Sequence, residues 1–300
     1  MGHIITDLKQ SFKRGNIVTQ LVYINVGVFV VTSLLSVFLV LFNRSASPML
    51  LLFELPASVT RFLYQPWSLI TYMFMHVDIL HILFNMLWLY WFGTISLYFF
   101  TGKHLRGIYV FGGLCGGLLY LLFYNTFPYF TQVMNSSLVG ASASILAIVT
   151  ATAYREPNYP VRLLLVGAVR LKYLALFVVL IDLLFLTSDN AGGHIAHLGG
   201  ALAGLWFAAC LSKGTDITAW INNILDGVVS LFDKKTWRRK PKMKVHYGNG
   251  YVKREKDYDY NMRKKAQSDE IDRILDKLKR SGYESLTAEE KKRLFDAGKR

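Results

Sequence analysis

Cysteine is almost absent from this chain of 300 residues: there are two, Cys115 and Cys210. Both sit inside apolar stretches, which excludes a disulfide framework and a cysteine metal site and leaves them as packing residues. Charge is missing as well, but only from the first two thirds. Of the 34 Lys and Arg and 20 Asp and Glu, residues 1–211 hold 11 and 6, whereas residues 212–300 hold 23 and 14. A single globular domain or a secreted disulfide scaffold does not divide its charge in this way. With 53% hydrophobic residues and a mean hydropathy of +0.31, the chain reads as a membrane-embedded body with a soluble, basic tail. The net charge of +14 imitates a nucleic-acid binder. Most of it lies in the tail, however, where positive charge beside apolar spans marks a cytoplasmic membrane face. Membrane lipids are therefore expected as partners, and nucleic acid is not.

Six segments are long and apolar enough to be read as spans, near 18–42, 77–100, 105–127, 138–154, 171–187 and 193–211. The expected class is all-α, a polytopic bundle of six transmembrane helices with a small helical tail. The first span is too long for a signal-peptide core and lacks a cleavage-like small-residue site, so it is expected to stay. Loop charges set the orientation. Lys9, Lys13 and Arg14 precede the first span, Lys103 and Arg106 follow the second, and Arg155, Arg162, Arg170 and Lys172 follow the fourth. The opposite loops carry little positive charge, so both termini are expected on the cytoplasmic side.

Four regions follow: a cytoplasmic segment 1–17, the membrane domain 18–211, a juxtamembrane region 212–267, and a helical hairpin 268–300. The first outer loop, 43–76, is apolar enough to dip into the interface. In the juxtamembrane region Thr215 or Asp216 is placed to cap a helix carrying Ile217, Trp220, Ile221, Ile224, Val228 and Phe232 on one face. A basic run from Lys234 to Lys244 suits anionic headgroups, and 245–267 reads as a polar linker. Beyond it Ile271, Ile274, Leu275 and Leu278 form a helical stripe, Gly282 breaks it, and Thr287 with Glu290 forms a capping box for a last helix.

Polar residues inside apolar spans are costly and mark function. His81 and Asn85 share a face of the second span, Ser142 lies in the fourth, and His197 lies in the sixth. In the expected orientation all four lie in the outer half of the membrane. Small residues surround the serine (Gly140, Ala141, Ala143, Ala147) and the histidine (Gly199, Gly200, Ala203, Gly204), which lets two helices approach closely. A serine beside a histidine base is the minimal constellation for nucleophilic attack on an amide. His81, Asn85 and the Ser142 N–H are placed to stabilise the resulting oxyanion. No acidic residue is evidently placed to orient His197: Asp182 is assigned to the inner or middle part of the fifth span and Asp189 to a loop. A Ser–His dyad is therefore expected.

Three motifs carry a resemblance. Gly140-Ala141-Ser142-Ala143 resembles the Gly-x-Ser-x signature of rhomboid intramembrane serine proteases, of bacterial type. Ala196-His197-Leu198-Gly199-Gly200, continued to Gly204, is similar to their Ala-His-x-x-Gly-x-x-x-Gly signature. His81-Ile82-Leu83-Phe84-Asn85 is similar to the His-x-x-x-Asn signature, with His76 five residues before it. The resemblance covers about 18–211. It implies a six-helix core, Ser142 as nucleophile, His197 as general base, His81 and Asn85 in the oxyanion site, and transmembrane proteins as substrates cut near the outer interface.

Other readings compete with this one. A non-catalytic rhomboid-like protein that binds transmembrane clients is the alternative, although such relatives typically lack the serine or the histidine. A solute transporter would need a repeated half and midplane polar groups. Ser144 is the local rival to Ser142, turned about 200° away on the helix. His76, His81, His194 and His197 invite a metal reading, but a zinc site usually adds a carboxylate or thiolate, so no metal and no cofactor is expected. The sequence specifies no oligomeric state.

Overall fold

Helices dominate, as the apolar runs dictate. The computed structural model describes residues 2–163, 167–232 and 250–298. The chain divides into two compact units, 1–236 and 237–300. In the first unit the order is α1 (Gly2–Arg14), α2 (Ile17–Leu41), α3 (Ser47–Leu51), β1 (Leu55–Pro56), α4 (Val59–Tyr64), α5 (Ser68–Thr71), α6 (Ile79–Ser96) and α7 (Gly102–Thr126). There follow β2 (Ser137–Leu138), α8 (Ser142–Arg155), β3 (Pro160–Leu163), β4 (Gly167–Arg170), α9 (Leu171–Leu184), α10 (Ala191–Ser212) and α11 (Ala219–Phe232). The long helices start where a side chain satisfies orphan N–H groups. Asn16 accepts from the Thr19 N–H at 3.0 Å, Asp78 from the His81 N–H at 2.8 Å, and Thr101 from the His104 N–H at 3.2 Å.

The protein is an all-α polytopic membrane bundle. Among the described residues, α2, α6, α7 and α10 are long and apolar enough to cross a bilayer. Helices α8 and α9 have 14 residues each and reach about 21 Å, short of the roughly 30 Å hydrocarbon core. Helix α8 is a central strut: every residue from Ala143 to Ala153 is buried.

Glycine makes this centre possible. A Cβ on Gly200 would lie 2.1 Å from the Ala143 carbonyl oxygen, and one on Gly204 would lie 2.1 Å from that of Ala147. On the other side, a Cβ on Gly112 would meet Ala147 at 2.3 Å and one on Gly116 the Ala196 carbonyl at 2.7 Å. Helices α7, α8 and α10 thus touch at backbone distance, where dispersion contacts are densest. Thr150 Oγ1 donates to the Ala201 carbonyl at 3.0 Å and Ser96 pairs with Thr152 at 2.6 Å, tying α10 and α6 to α8.

The 43–76 loop is folded rather than open. Strand β1 pairs antiparallel with β2, Leu55 opposite Leu138, just before Ser142. Trp67 Nε1 donates to the Leu52 carbonyl at 2.8 Å, Thr71 to that of Phe53 at 2.7 Å, and Ser137 to the Glu54 carboxylate. Tyr72 donates to the Gly113 carbonyl at 2.6 Å and accepts, through its own carbonyl, the Gly140 N–H at 2.9 Å.

The juxtamembrane helix starts a few residues later than its capping residues suggested. Asp216 accepts from the Thr218 N–H at 2.8 Å and leads into α11. Helix α11 docks through buried Ile221 and its polar edge: Asn222 accepts from Arg106 at 2.8 Å, and Asp226 accepts from Arg106 at 2.6 Å. Trp220, Ile224 and Val228 stay exposed. The basic run Lys234–Lys244 and residues 245–249 lie outside the described residues.

The second unit corrects the linker reading, because α12 runs over Gly250–Ser281 without a break. Its first half lacks an apolar stripe, so periodicity gave no signal there. Gly282, at φ 73°, ends it, and α13 (Ala288–Gly298) returns. The capping box is formed: the Thr287 N–H donates to Glu290 at 2.8 Å and the Glu290 N–H to Thr287 at 3.3 Å. Lys277 pairs with Glu290 and Arg293 with Glu270.

Candidate active site

Ser142, His81, Asn85 and His197 line one cavity of about 420 Å³. They arrive from three helix beginnings: His81 in the first turn of α6, Ser142 as the first residue of α8, and His197 in the second turn of α10. The remaining walls are apolar, with Phe84 and Trp88 of α6, Leu146 of α8 and Val178 of α9. Ser142, His81 and His197 also border a second cavity of about 370 Å³, whose other side is polar, with Asp78, Ser136, Asp189 and Asn190. These residues stand between an apolar compartment and a polar one.

The close packing of the centre fixes the serine against the histidine helix. Ala143 lies against Gly200, so the backbone beside Ser142 is pressed onto α10 one turn beyond His197. Ser142 is half-buried, whereas Ser144 is fully buried and turned toward Gly113 of α7, out of the cavity. The first N–H groups of α8 have no intrahelical acceptor and carry the positive end of its dipole. Gly140 has φ 121°, a conformation that side chains other than glycine rarely adopt, and a Cβ there would lie 2.9 Å from His81 Nε2. His81 therefore lies directly over the turn that delivers Ser142.

Hydrogen bonds sort the nitrogen atoms. His81 Nδ1 accepts from the Val77 N–H at 3.4 Å, which leaves the proton of a neutral ring on Nε2, facing Gly140. Asn85 Nδ2 donates one hydrogen to the His81 carbonyl at 2.9 Å and keeps a second. His76 packs edge-on to His81 with ring centroids 5.0 Å apart. It lies in the loop before α6, and burial, with His81 as a smaller contributor, holds its imidazole down to about 4.

The expectation that no acid serves His197 is corrected. Asp182 is buried, and its Oδ1 lies 2.8 Å from His197 Nδ1. It lies near the end of α9, which stops at Leu184, and not in the inner or middle part of that helix. The same Oδ1 lies 2.8 Å from Nδ1 of His194, one turn before His197. A carboxylate accepting the Nδ1 proton leaves Nε2 of His197 as the acceptor nitrogen. The sequence held one signal for this acid: Asp182 is the only charged residue between Lys172 and Asp189.

A polytopic membrane bundle with a polar site sunk among its helices is the class of protein these features define. Residues 63–214 match the Rhomboid domain family, and the chain belongs to the rhomboid family. It is 31% identical over 157 residues to RHOMBOID-like protein 12, mitochondrial, of Arabidopsis thaliana, a stretch covering 49% of this chain and 47% of that protein. The chain thus aligns with about half the length of that relative. Residues 254–299 match a second family, one of unknown function (DUF6576).

Proposed function

We propose that this rhomboid-family protein is an intramembrane serine endopeptidase. The observation that carries the reading is the Asp182–His197 contact, with His197 and Ser142 lining one cavity, because an imidazole held at Nδ1 is set to act as a base at Nε2. The serine hydroxyl attacks the scissile carbonyl carbon while His197 Nε2 takes its proton, and Asp182 stabilises the imidazolium. The carbonyl oxygen, now an anion, accepts from His81 Nε2–H, the free Asn85 N–H and the Ser142 N–H at the head of α8. The intermediate collapses, the C–N bond breaks, and His197 returns the proton to the leaving amine. Water then enters from the polar cavity and releases the acyl group by the same steps in reverse.

The apolar cavity suits a substrate segment arriving from lipid. That segment must be extended, since a helical carbonyl is already hydrogen-bonded. Substrates are accordingly transmembrane proteins with Gly or Pro near the cut. The charge asymmetry of the loops supports placing both termini on the cytoplasmic side, with the site in the outer half of the membrane.

The test is cleavage of a transmembrane reporter, with fluorophosphonate labelling of the serine. Wild type is expected to cleave and to be labelled at Ser142; Ser142→Ala is expected to insert, fold and do neither. Reporter cleavage by Ser142→Ala at the wild-type rate overturns the assignment. A wild type that takes no label and cuts nothing instead makes the chain a binder of transmembrane clients.

A further inference from the structure

His194 has no task in the reaction above, yet it is held as firmly as His197. Both rings turn Nδ1 onto the same oxygen, Asp182 Oδ1, each at 2.8 Å. One acceptor for His197 is all that an acid–base relay needs. The cluster brings a second imidazole, and it leaves Asp182 Oδ2 buried without any partner among the described residues. A buried carboxylate oxygen with no donor is costly in an apolar interior, and it asks for a cation.

We propose that Asp182, His194 and His197 form a binding site for a divalent transition-metal ion of the zinc class, and that filling it switches off the general base. The three ligand atoms lie within 4.8 Å of one another. Spacing of three residues puts both histidines on one face of α10, and Asp182 meets them from α9. Two imidazole nitrogens and a carboxylate oxygen are a donor set for zinc, whereas magnesium and calcium select oxygen alone. Of the three ligands, His197 borders the polar cavity lined by Asp189 and Asn190, the side from which an ion and water would reach the cluster. From sequence the objection to a metal was the missing carboxylate; the fold supplies it.

The regulatory step follows from tautomerism. In the metal-free state His197 carries its proton on Nδ1, donated to Asp182, and Nε2 is open toward the serine. A metal on Nδ1 moves the proton of the neutral ring to Nε2. That nitrogen then cannot accept a proton from Ser142. No proton is gained or lost by the ring, and no bond to substrate is involved. This inhibitory half rests on the protease reading; the binding half does not.

The experiment uses the full chain in detergent, freed of affinity tags and stripped with a chelator. Equilibrium dialysis against zinc is expected to find one ion held by wild type and by Ser142→Ala. His194→Ala and Asp182→Asn are expected to weaken that binding by at least about 100-fold, the upper end of what even outer-shell changes cost a metal site. Zinc-edge X-ray absorption of the wild type, which needs no variant, is expected to show two imidazoles. In the cleavage assay, saturating zinc is expected to slow wild type about 100-fold, the share a general base supplies, and His194→Ala less than about twofold relative to its own rate. Equal zinc binding by wild type and both variants, or a zinc shell without imidazole, overturns the site. If zinc binds as expected but chelated wild type cleaves nothing, the site stands and the protease reading falls.

Discussion

Helices α2 and α8 both lie in runs the sequence marks as membrane-embedded, yet they occupy opposite environments. Of the 25 residues of α2 only Val18, Leu21 and Asn25 are buried, and Val31, Leu34, Phe38 and Leu41 are open to the surroundings. Of the 14 residues of α8, all from Ala143 to Ala153 are enclosed by protein. The long helix is made of large side chains that lipid can wet. The short one is rich in Ala, Ser and Thr facing the glycines of α7 and α10. Hydropathy thus reports that a helix leaves water; residue size reports whether lipid or protein receives it.

The sharpest way to break this contrast is chemical. Within the proposed reaction, Asp182→Asn is expected to lower kcat by about 100-fold or more while changing KM little, because the His197 ring loses its tautomer and the serine its base. The split is read from cleavage kinetics on a reporter. A wild-type kcat removes Asp182 from the mechanism and leaves it a packing residue.

The next effect is on stability. Gly200→Ala places a methyl group 2.1 Å from the Ala143 carbonyl, where neither backbone can yield. A loss of about 3 kcal/mol is expected, at the upper end of overpacking costs. Leu34→Ala on the open face of α2 is expected to stay within about 0.5 kcal/mol. Thermal unfolding in detergent measures both, and equal losses erase the distinction between the two helices.

Acid should act on the rim of the site before the centre. His76 is held neutral, with its imidazole down at about 4, whereas in the unfolded chain it takes a proton near its ordinary value of 6.5. The unfolded state therefore binds more protons between those values. Stability present above pH 6.5 declines as the pH falls toward 4 and levels below it. Unfolding temperatures across that range are expected to fall for wild type and to flatten for His76→Phe. A parallel decline in the variant assigns the acid sensitivity elsewhere.

The smallest effect concerns α11. The Arg106 guanidinium, with Lys103, holds the Asp226 carboxyl below the usual carboxylate range. Asp226→Asn is expected to raise hydrogen exchange along α11 and to leave α7 and α10 unchanged. Exchange spreading into α7 would make the contact part of the core.

The residues legible in sequence were those whose cost is local. His81, Asn85, Ser142 and His197 stand out because a polar group in an apolar run must be satisfied or used. The same logic marked the glycine faces and the Thr287 capping box. Asp182 was visible but misplaced. Its depth depends on where α9 ends, and its partner lies 15 residues away across a turn. The first half of α12 went unread because a helix with no apolar face has no period to detect.

Composition and order alone determined that the chain enters a membrane, which runs are helices, and which polar residues are out of place there. Those follow from transfer costs that each segment meets by itself. The shared oxygen of Asp182, the proton left on Nε2 of His81, and the burial of Ser144 against α7 came only with the tertiary structure. Each depends on how far two helices turn and how closely they approach, and that is set by packing between segments that no single stretch of sequence contains.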